Sequence, residues 1–158
     1  MKASQNKFNL LKYIPYRFNV IIQRSALLLA AQYKYLGITR AQFHVIAFVA
    51  TYPGISPKKI IELTIMDKNR VTRAIDGLVK KQLLLRRINS EDKRVALLNL
   101  TVKGKELYQE LDALAFTMQY RFSTSLTEEE QKVLDKVLIK MDGALNQLEA
   151  EFSKSNED

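Results

Sequence analysis

The stretch from Asp67 to Lys81 constrains this sequence most, because it sorts apolar and polar residues onto opposite sides of one helix. At about 100° per residue, the apolar residues fall within about 60° of one direction. They are Val71, Ala74, Ile75 and Leu78, and Gln82, a polar residue just after the stretch, falls in the same direction and is placed on the same buried face. The polar and basic residues of the stretch are Lys68, Asn69, Arg70, Thr72, Arg73, Asp76 and Lys80. Since Asp67 is a good N-cap, the sequence predicts an amphipathic helix over 67–81 with one buried face.

The polar face of this helix allows two interpretations. Arginine can contact guanine, asparagine can contact adenine, and a threonine methyl can contact the thymine methyl, so the face suits base edges in a DNA groove. Alternatively, Asp76 lies three residues after Arg73 and four before Lys80, so the same face could be a solvated surface joined by ion pairs. The neighbouring segments favour the first interpretation.

A short helix and a basic hairpin are predicted on either side of 67–81. Ser56-Pro57 is a helix start, with serine as N-cap and proline at the first helical position. Two apolar, leucine-rich or β-branched runs, 83–88 and 95–101, flank a polar loop and predict a hairpin. A short helix, the amphipathic helix 67–81 and a basic hairpin in immediate succession predict a winged helix-turn-helix. Its supporting residues are Ser56, Lys58, Lys59 and Asp67, and its wing residues are Arg86, Arg87, Asp92, Lys93 and Arg94.

The remaining segments predict helices. Apolar spacings of three and four indicate helices over about 7–35, with a start or kink at Pro15, and over 39–51 behind a Thr39 capping box. Two further helices are expected after the hairpin, the first behind Thr101 and the last behind Thr127. The predicted fold is mainly α with a small β-hairpin wing, a single domain over 1–158. It comprises a winged helix-turn-helix lobe at 38–101 and helical regions at 7–36 and 102–152.

The charge is unevenly distributed along the chain. Residues 1–55 carry a net charge of +7 without any acidic residue, residues 56–105 carry +8, and residues 106–158 carry −7. A solvated surface would mix the two signs, so a segregated basic half indicates a polyanionic partner. On charge alone this partner could be DNA, RNA, an acidic lipid surface or an acidic protein.

The composition argues against catalysis and bound cofactors. The chain has no cysteine and one histidine, so it can form no disulfide, thiolate zinc site or His-rich metal site. We therefore expect a protein without metal or cofactor that is not an enzyme. The Glu128–Glu130 cluster is explained by the first turn of a helix, and His44 has no nucleophile to serve as a base. No apolar stretch is longer than Ala26–Ala31, which is far too short to span a membrane, so a cytoplasmic location is expected.

With the segments M-D-K-N-R-V-T-R-A-I-D-G-L-V-K-K (66–81), E-D-K-R (91–94) and L-T-V-K-G (100–104), the chain resembles the multiple-antibiotic-resistance regulator (MarR) family along nearly its whole length. The resemblance implies that Arg94 enters the DNA minor groove and that Asp92 holds it by a salt bridge. Two residues depart from the family pattern: Gln82 stands where glycine is usual, and Val102 where proline is frequent. Neither is a proposed DNA contact.

The resemblance also implies a homodimer on a pseudo-palindromic duplex, formed by the first and last two helices. The wide apolar stripes of 102–122 and 127–152 independently require a partner surface. It further implies a repressor released by a small ligand, such as an aromatic acid. The expected effector pocket comprises Tyr13, Tyr16, Arg17, Arg24, Ser25, Phe43 and His44. The alternative is a non-catalytic winged-helix module that docks RNA or an acidic protein.

Overall fold

The structure is a computed structural model that describes residues 8–90 and 92–155, without the side chain of Lys154. A short 3-10 turn, Leu10–Lys12, precedes the first α-helix. The elements are α1 (Ile14–Tyr35), α2 (Arg40–Thr51), α3 (Pro57–Leu63), α4 (Lys68–Lys80), β1 (Leu84–Ile88), β2 (Ala96–Leu100), α5 (Val102–Ser123) and α6 (Glu128–Ser155). The mainly α fold with one hairpin is therefore confirmed. Lys7, where the first helix was expected to begin, lies outside the described residues.

The helix starts follow the predicted capping residues. Pro15 lies in the first turn of α1, so the helix begins at this proline and is not kinked by it. Thr39 accepts from the Gln42 N–H at 3.2 Å, and the Gln42 side chain accepts from the Thr39 N–H at 3.1 Å, which forms a capping box. Thr127 and Glu130 form the same reciprocal pair at the start of α6. Thr101 caps α5 by accepting from the Gly104 N–H at 2.9 Å.

Contacts divide the chain into two compact units, with the boundary between Leu111 and Asp112 inside α5. In the first unit, α2, α3, α4 and the hairpin enclose the core. Its most completely buried side chains are Val45, Ile46, Val49, Ile60, Val71, Ile75, Leu78, Leu84, Leu98 and Leu111. The periodic apolar residues of α4 therefore lie where the sequence predicts them.

The hairpin pairs antiparallel with Leu84 opposite Leu100 and Ile88 opposite Ala96. A third segment joins this small sheet, since Ile55 and Leu98 form an isolated bridge with an N–O distance of 3.0 Å. Because Ile55 directly precedes Ser56, this bridge attaches the start of α3 to the base of the hairpin. The hairpin is thus tied to the helix-turn-helix by backbone hydrogen bonds.

The second unit comprises the rest of α5 and the whole of α6. The turn between them is closed by Gln131, whose side-chain amide donates to the Ser123 carbonyl at 2.9 Å. None of the described side chains of α6 is buried in the single chain. Its apolar stripe is accordingly exposed, with Leu145 at 58% and Phe152 at 67%. In the described part of the chain, no helix is long and apolar enough to cross a membrane.

Candidate nucleic-acid interface

The polar face of α4 is the centre of the candidate interface. Asp67 caps the helix by accepting from the Arg70 N–H at 2.8 Å. Val71, Ala74, Ile75 and Leu78 are buried against the rest of the lobe. All the predicted contact residues of this helix are exposed: Lys68, Asn69, Arg70, Thr72, Arg73, Asp76 and Lys80. Folding therefore exposes one mainly basic helix face that also carries amide, hydroxyl and carboxylate groups.

The ion pairs of the alternative interpretation, Asp76 with Arg73 or Lys80, are replaced by a contact to the hairpin. Asp76 lies 3.8 Å from the Arg86 guanidinium on β1. Among the residues that the structure describes, Asp76 has no ion pair with Arg73 or Lys80. Both partners of the Arg86 pair are exposed, so it contributes little to stability. The face is thus not explained as a surface joined by intrahelical ion pairs.

The helix that precedes α4 is built from the predicted supporting residues. Ser56 caps α3 by accepting from the Lys59 N–H at 3.1 Å, and Pro57 is its first residue. Ile60 is fully buried, whereas the side chains of Lys58 and Lys59 are exposed. Lys59 pairs with Glu62 at 3.1 Å. This arrangement leaves the ammonium of Lys59 on the surface of the helix-turn-helix, where basic side chains can meet a phosphate backbone.

The end of α4 contains the family departure at Gln82. The helix ends at Lys80, and Gln82 follows it with a φ of +60°, exposed to solvent. The placement of Gln82 on the buried face was therefore wrong, because the helix terminates before this position is reached. The Gln82 N–H donates to the Val79 carbonyl and the Leu83 N–H to the Leu78 carbonyl, both at 2.9 Å. This is a Schellman turn with glutamine in the usual glycine position.

Lys81 links the end of α4 to the start of α2. Its ammonium donates to the Gly37 carbonyl at 2.6 Å and to the side-chain oxygen of Gln42 at 3.1 Å. Gln42 is buried, and the same oxygen serves the capping box of α2. These bonds hold α4 against the α1–α2 turn and so help to orient its exposed face.

The wing residues lie on the hairpin, and all of them are exposed: Arg86, Arg87, Asp92, Lys93 and Arg94. The Asp92 carboxylate accepts from the backbone N–H of Arg94 at 2.9 Å. No ion pair joins these two side chains among the described residues, so the salt bridge implied by the resemblance is replaced by a turn-type hydrogen bond.

A cleft of about 340 Å³ lies beside the exposed face of α4. It is lined by Thr39, Arg40, Ala41 and Gln42 from the start of α2, and by Arg70, Arg73 and Ala74 from α4. His44 is half-buried. Burial lowers the pKa of His44 below its ordinary value of 6.5, and the charges of Arg40 and Arg70 lower this pKa further. The cleft is therefore a site of positive potential.

The expected effector residues are only partly brought together in one chain. Phe43 stacks on Tyr33 with ring centroids 5.3 Å apart and meets His44 edge-on at 5.7 Å. Arg17 and Arg24 lie along α1 without being buried, and Tyr13 is exposed. Tyr16 is likewise not buried, and Ser25 donates to the Ile21 carbonyl of its own helix at 2.8 Å. Within the described residues, a single chain therefore contains no buried arginine of the kind that this expectation requires.

Sequence reasoning missed Arg40 and the Lys81 link. Arg40 is the first residue of α2, inside the capping box T-R-A-Q. Arg40 lies in residues 1–55, which contain no acidic residue, and this could have indicated anion binding. Its proximity to Arg70, however, depends on how α2 packs against α4. Lys81 carried no such signal, since its partners lie 44 and 39 residues away in the sequence.

Comparisons with known proteins agree with this geometry. Residues 38–96 match the MarR family model. The chain is 28% identical over 142 residues to the multiple antibiotic resistance protein MarR of Escherichia coli, covering 89% of this chain and 99% of that one. It is 33% identical over 94 residues to the transcriptional repressor MdtR of Bacillus subtilis, covering 60% and 61% of the two chains.

A solved structure extends the similarity to nearly the full chain. A MarR/EmrR family transcriptional regulator from Acinetobacter superposes with a TM-score of 0.80 at 25% identity, covering 89% of this chain and 99% of that one. The order of helices and wing, the capped basic helix and these similarities lead to one assignment. Residues 38–96 of this chain carry a MarR family domain, and the chain has the fold of that family's winged-helix transcriptional regulators.

Proposed function

We propose that this protein is a sequence-specific DNA-binding repressor that acts as a homodimer and is released by a small effector. The observation that carries the proposal is the exposed face of α4, in which Asn69 and Thr72 accompany the basic side chains. The Thr72 hydroxyl donates to the Lys68 carbonyl at 2.9 Å, which leaves its methyl group for contact with a thymine methyl. A purely electrostatic surface would need only lysine and arginine.

The wing would extend this contact to a second groove. An arginine inserted into a narrow minor groove is favoured by the negative potential there. Arg94 and Lys93 lie on the hairpin that follows α4 directly, so they suit this role. Arg86 and Arg87 lie on β1 and suit the adjacent phosphates.

The homodimer is supported by apolar side chains that the single chain leaves exposed. On α1 they include Ile14, Ile21, Ile22, Leu27 and Leu28, and on α6 they include Val137, Leu138, Ile139, Leu145, Leu148 and Phe152. Such extended stripes on a monomer would be an aggregation hazard, whereas a second copy would bury them. Two helix-turn-helix units held about one duplex turn apart also explain tight binding to a pseudo-palindromic site.

A small aromatic acid is the effector class that we propose. Arg17 and Arg24 would bind its carboxylate, with Tyr13, Tyr16 and Phe43 against its ring. Since neither arginine is buried in one chain, the second chain of the dimer would have to enclose them. Release would follow if the occupied site changes the spacing of the two α4 helices. Such a regulator would act in the cytoplasm, where the DNA is.

The decisive experiment is a genomic binding selection with purified protein, combined with affinities for the enriched site and for random duplex over a range of salt. Enrichment of one pseudo-palindrome that is bound much more tightly than random duplex is expected. Asn69→Ala should weaken operator binding by about 1–3 kcal/mol and relax the base preference, whereas Lys80→Ala should weaken binding to every sequence alike. Uniform binding without an enriched site would refute the proposal and favour a module that docks RNA or an acidic protein.

A further inference from the structure

We propose that the cleft between the start of α2 and α4 binds a phosphate group of the DNA backbone, with Arg40 as its contact from α2. The inference rests on the proposed DNA-binding function and adds a contact outside α4 and the wing. It also changes the roles of Arg70 and Arg73, which were expected at base edges. Here both bind the backbone together with Arg40.

Three arginine residues line this cleft. Arg70 and Arg73 are three residues apart and therefore lie on one side of α4, and Arg40 faces the same cleft from the first position of α2. Guanidinium groups bind phosphate oxygens through paired hydrogen bonds, and they remain charged at any physiological pH. Three such groups around one opening are suited to an anion with several acceptor oxygens.

The positive charge of the cleft has no ion-pair partner within 8–90 and 92–155. Lys59–Glu62 and Arg86–Asp76 are ion pairs in those ranges, and neither includes an arginine of the cleft. Asp67, the closest acid to Arg70 in sequence, accepts from its backbone N–H instead. The charges of Arg40 and Arg70 also act on His44, whose pKa they lower in addition to the effect of burial. An anion in the cleft would relieve this repulsion.

The backbone of α2 adds to the attraction. The capping box engages the N–H groups of Thr39 and Gln42. Arg40 and Ala41 are the first two helical residues, so their N–H groups have no acceptor within the helix. Both residues line the cleft. A phosphate there would meet the positive end of the α2 dipole as well as the three guanidinium groups.

The position of the cleft selects the DNA backbone over an independent small anion. Arg70 and Arg73 belong to the same exposed face as Asn69 and Thr72. When that face enters the major groove, the backbone that borders the groove is the nearest source of phosphate. Phosphate contacts set the position of a protein on the duplex without carrying sequence information. Arg40 would accordingly contribute affinity and not base preference.

The test is the affinity of Arg40→Ala for a random-sequence duplex over a range of salt. We expect binding on the order of tenfold weaker at low salt, and a slope of log K against log salt that falls by about 0.9 for each phosphate that the variant no longer neutralises. Arg40→Lys keeps the charge and should retain the slope while recovering only part of the affinity. Arg121→Ala removes an exposed arginine near the end of α5 and should leave both quantities unchanged.

A random duplex makes this test independent of any operator. If the wild-type protein selects no operator, the proposed regulatory function fails, but the effect of Arg40→Ala on affinity and slope can still be measured. Equal affinities of Arg40→Ala and Arg121→Ala for random duplex would overturn the phosphate site. A weakening confined to operator DNA would also overturn it, since that result indicates a base contact. Circular dichroism of both variants verifies that they are folded.

Inorganic phosphate, added at constant ionic strength, distinguishes the two sources of the anion. His44 is the single histidine of the chain, so its imidazole NMR signal is an unambiguous reporter of charge near Arg40 and Arg70. DNA and free phosphate should both shift this signal in the wild-type protein, and less in Arg40→Ala. If phosphate shifts it while Arg40→Ala binds duplex normally, the cleft takes free phosphate and the DNA assignment is wrong.

Discussion

Replacing Gln82 with glycine should stabilise this protein, because Gln82 holds a left-handed backbone conformation that a side chain disfavours. Its φ is +60°, and the turn is closed by the Leu83–Leu78 and Gln82–Val79 backbone hydrogen bonds. The same pattern ends α1, where Gly37 has a φ of +67°. The turns after α1 and α4 are therefore of one type, and only the second has a side chain at the left-handed position.

The size of the effect follows from two opposing contributions. A residue with a Cβ in the left-handed region costs about 1–2 kcal/mol. The larger conformational freedom of glycine in the unfolded chain offsets about 0.5–1 kcal/mol of that gain. Gln82 is exposed, so its removal sacrifices no core packing. The net stabilisation is about 0.5–1 kcal/mol, which corresponds to a rise in Tm of about 1–4 °C for a chain of this size.

Urea unfolding followed by far-UV circular dichroism measures this difference. The midpoint should rise while the dependence of the free energy on urea stays constant, at one protein concentration for all variants. Gln82→Ala is the matched control, since it removes the same side chain but keeps the Cβ, and it should give no gain. Gly37→Gln, where a Cβ meets open space, should destabilise the fold by about 1 kcal/mol. Equal gains from Gln82→Ala and Gln82→Gly would refute the backbone argument.

Two further predictions concern the base of α5 and the half-buried histidine. Gly104→Ala should destabilise the fold by about 2–3 kcal/mol in the same unfolding assay, because a Cβ there would collide with the Leu83 carbonyl oxygen. Gly143→Ala is the control: a Cβ at this position on α6 meets open space, so the substitution should be neutral or stabilising. Burial and neighbouring positive charge lower the pKa of His44 in the folded state. As the pH falls below about 6.5, His44 is therefore protonated in the unfolded state before it is protonated in the folded state. The contribution of His44 to the free energy of unfolding consequently decreases below that pH. His44→Gln should flatten this part of the pH profile, and Arg40→Ala should raise the pKa of His44 measured by NMR; an unchanged pKa in Arg40→Ala would contradict the proximity of the two groups.

Local chemistry was enough to predict most elements of the fold. Helix starts at Thr39, Ser56, Asp67 and Thr127 are confirmed, because a capping side chain bonds to backbone only two or three residues away. The buried stripe of α4 is likewise confirmed, since the helical period alone decides which residues share a face. The exposed face offered to DNA follows from that same period.

Contacts between distant segments required the folded structure. The cleft of Arg40 and Arg70 exists because α2 packs against α4, and no local pattern specifies that packing. The pairing of Asp76 with Arg86, and of Lys81 with Gly37, likewise joins residues of different elements. Gln82 shows where prediction from the helical period fails. The period of α4 places Gln82 on the buried face, but the hydrogen bonds of the turn after α4 end the helix before this position. The Gln82 side chain is therefore exposed to solvent.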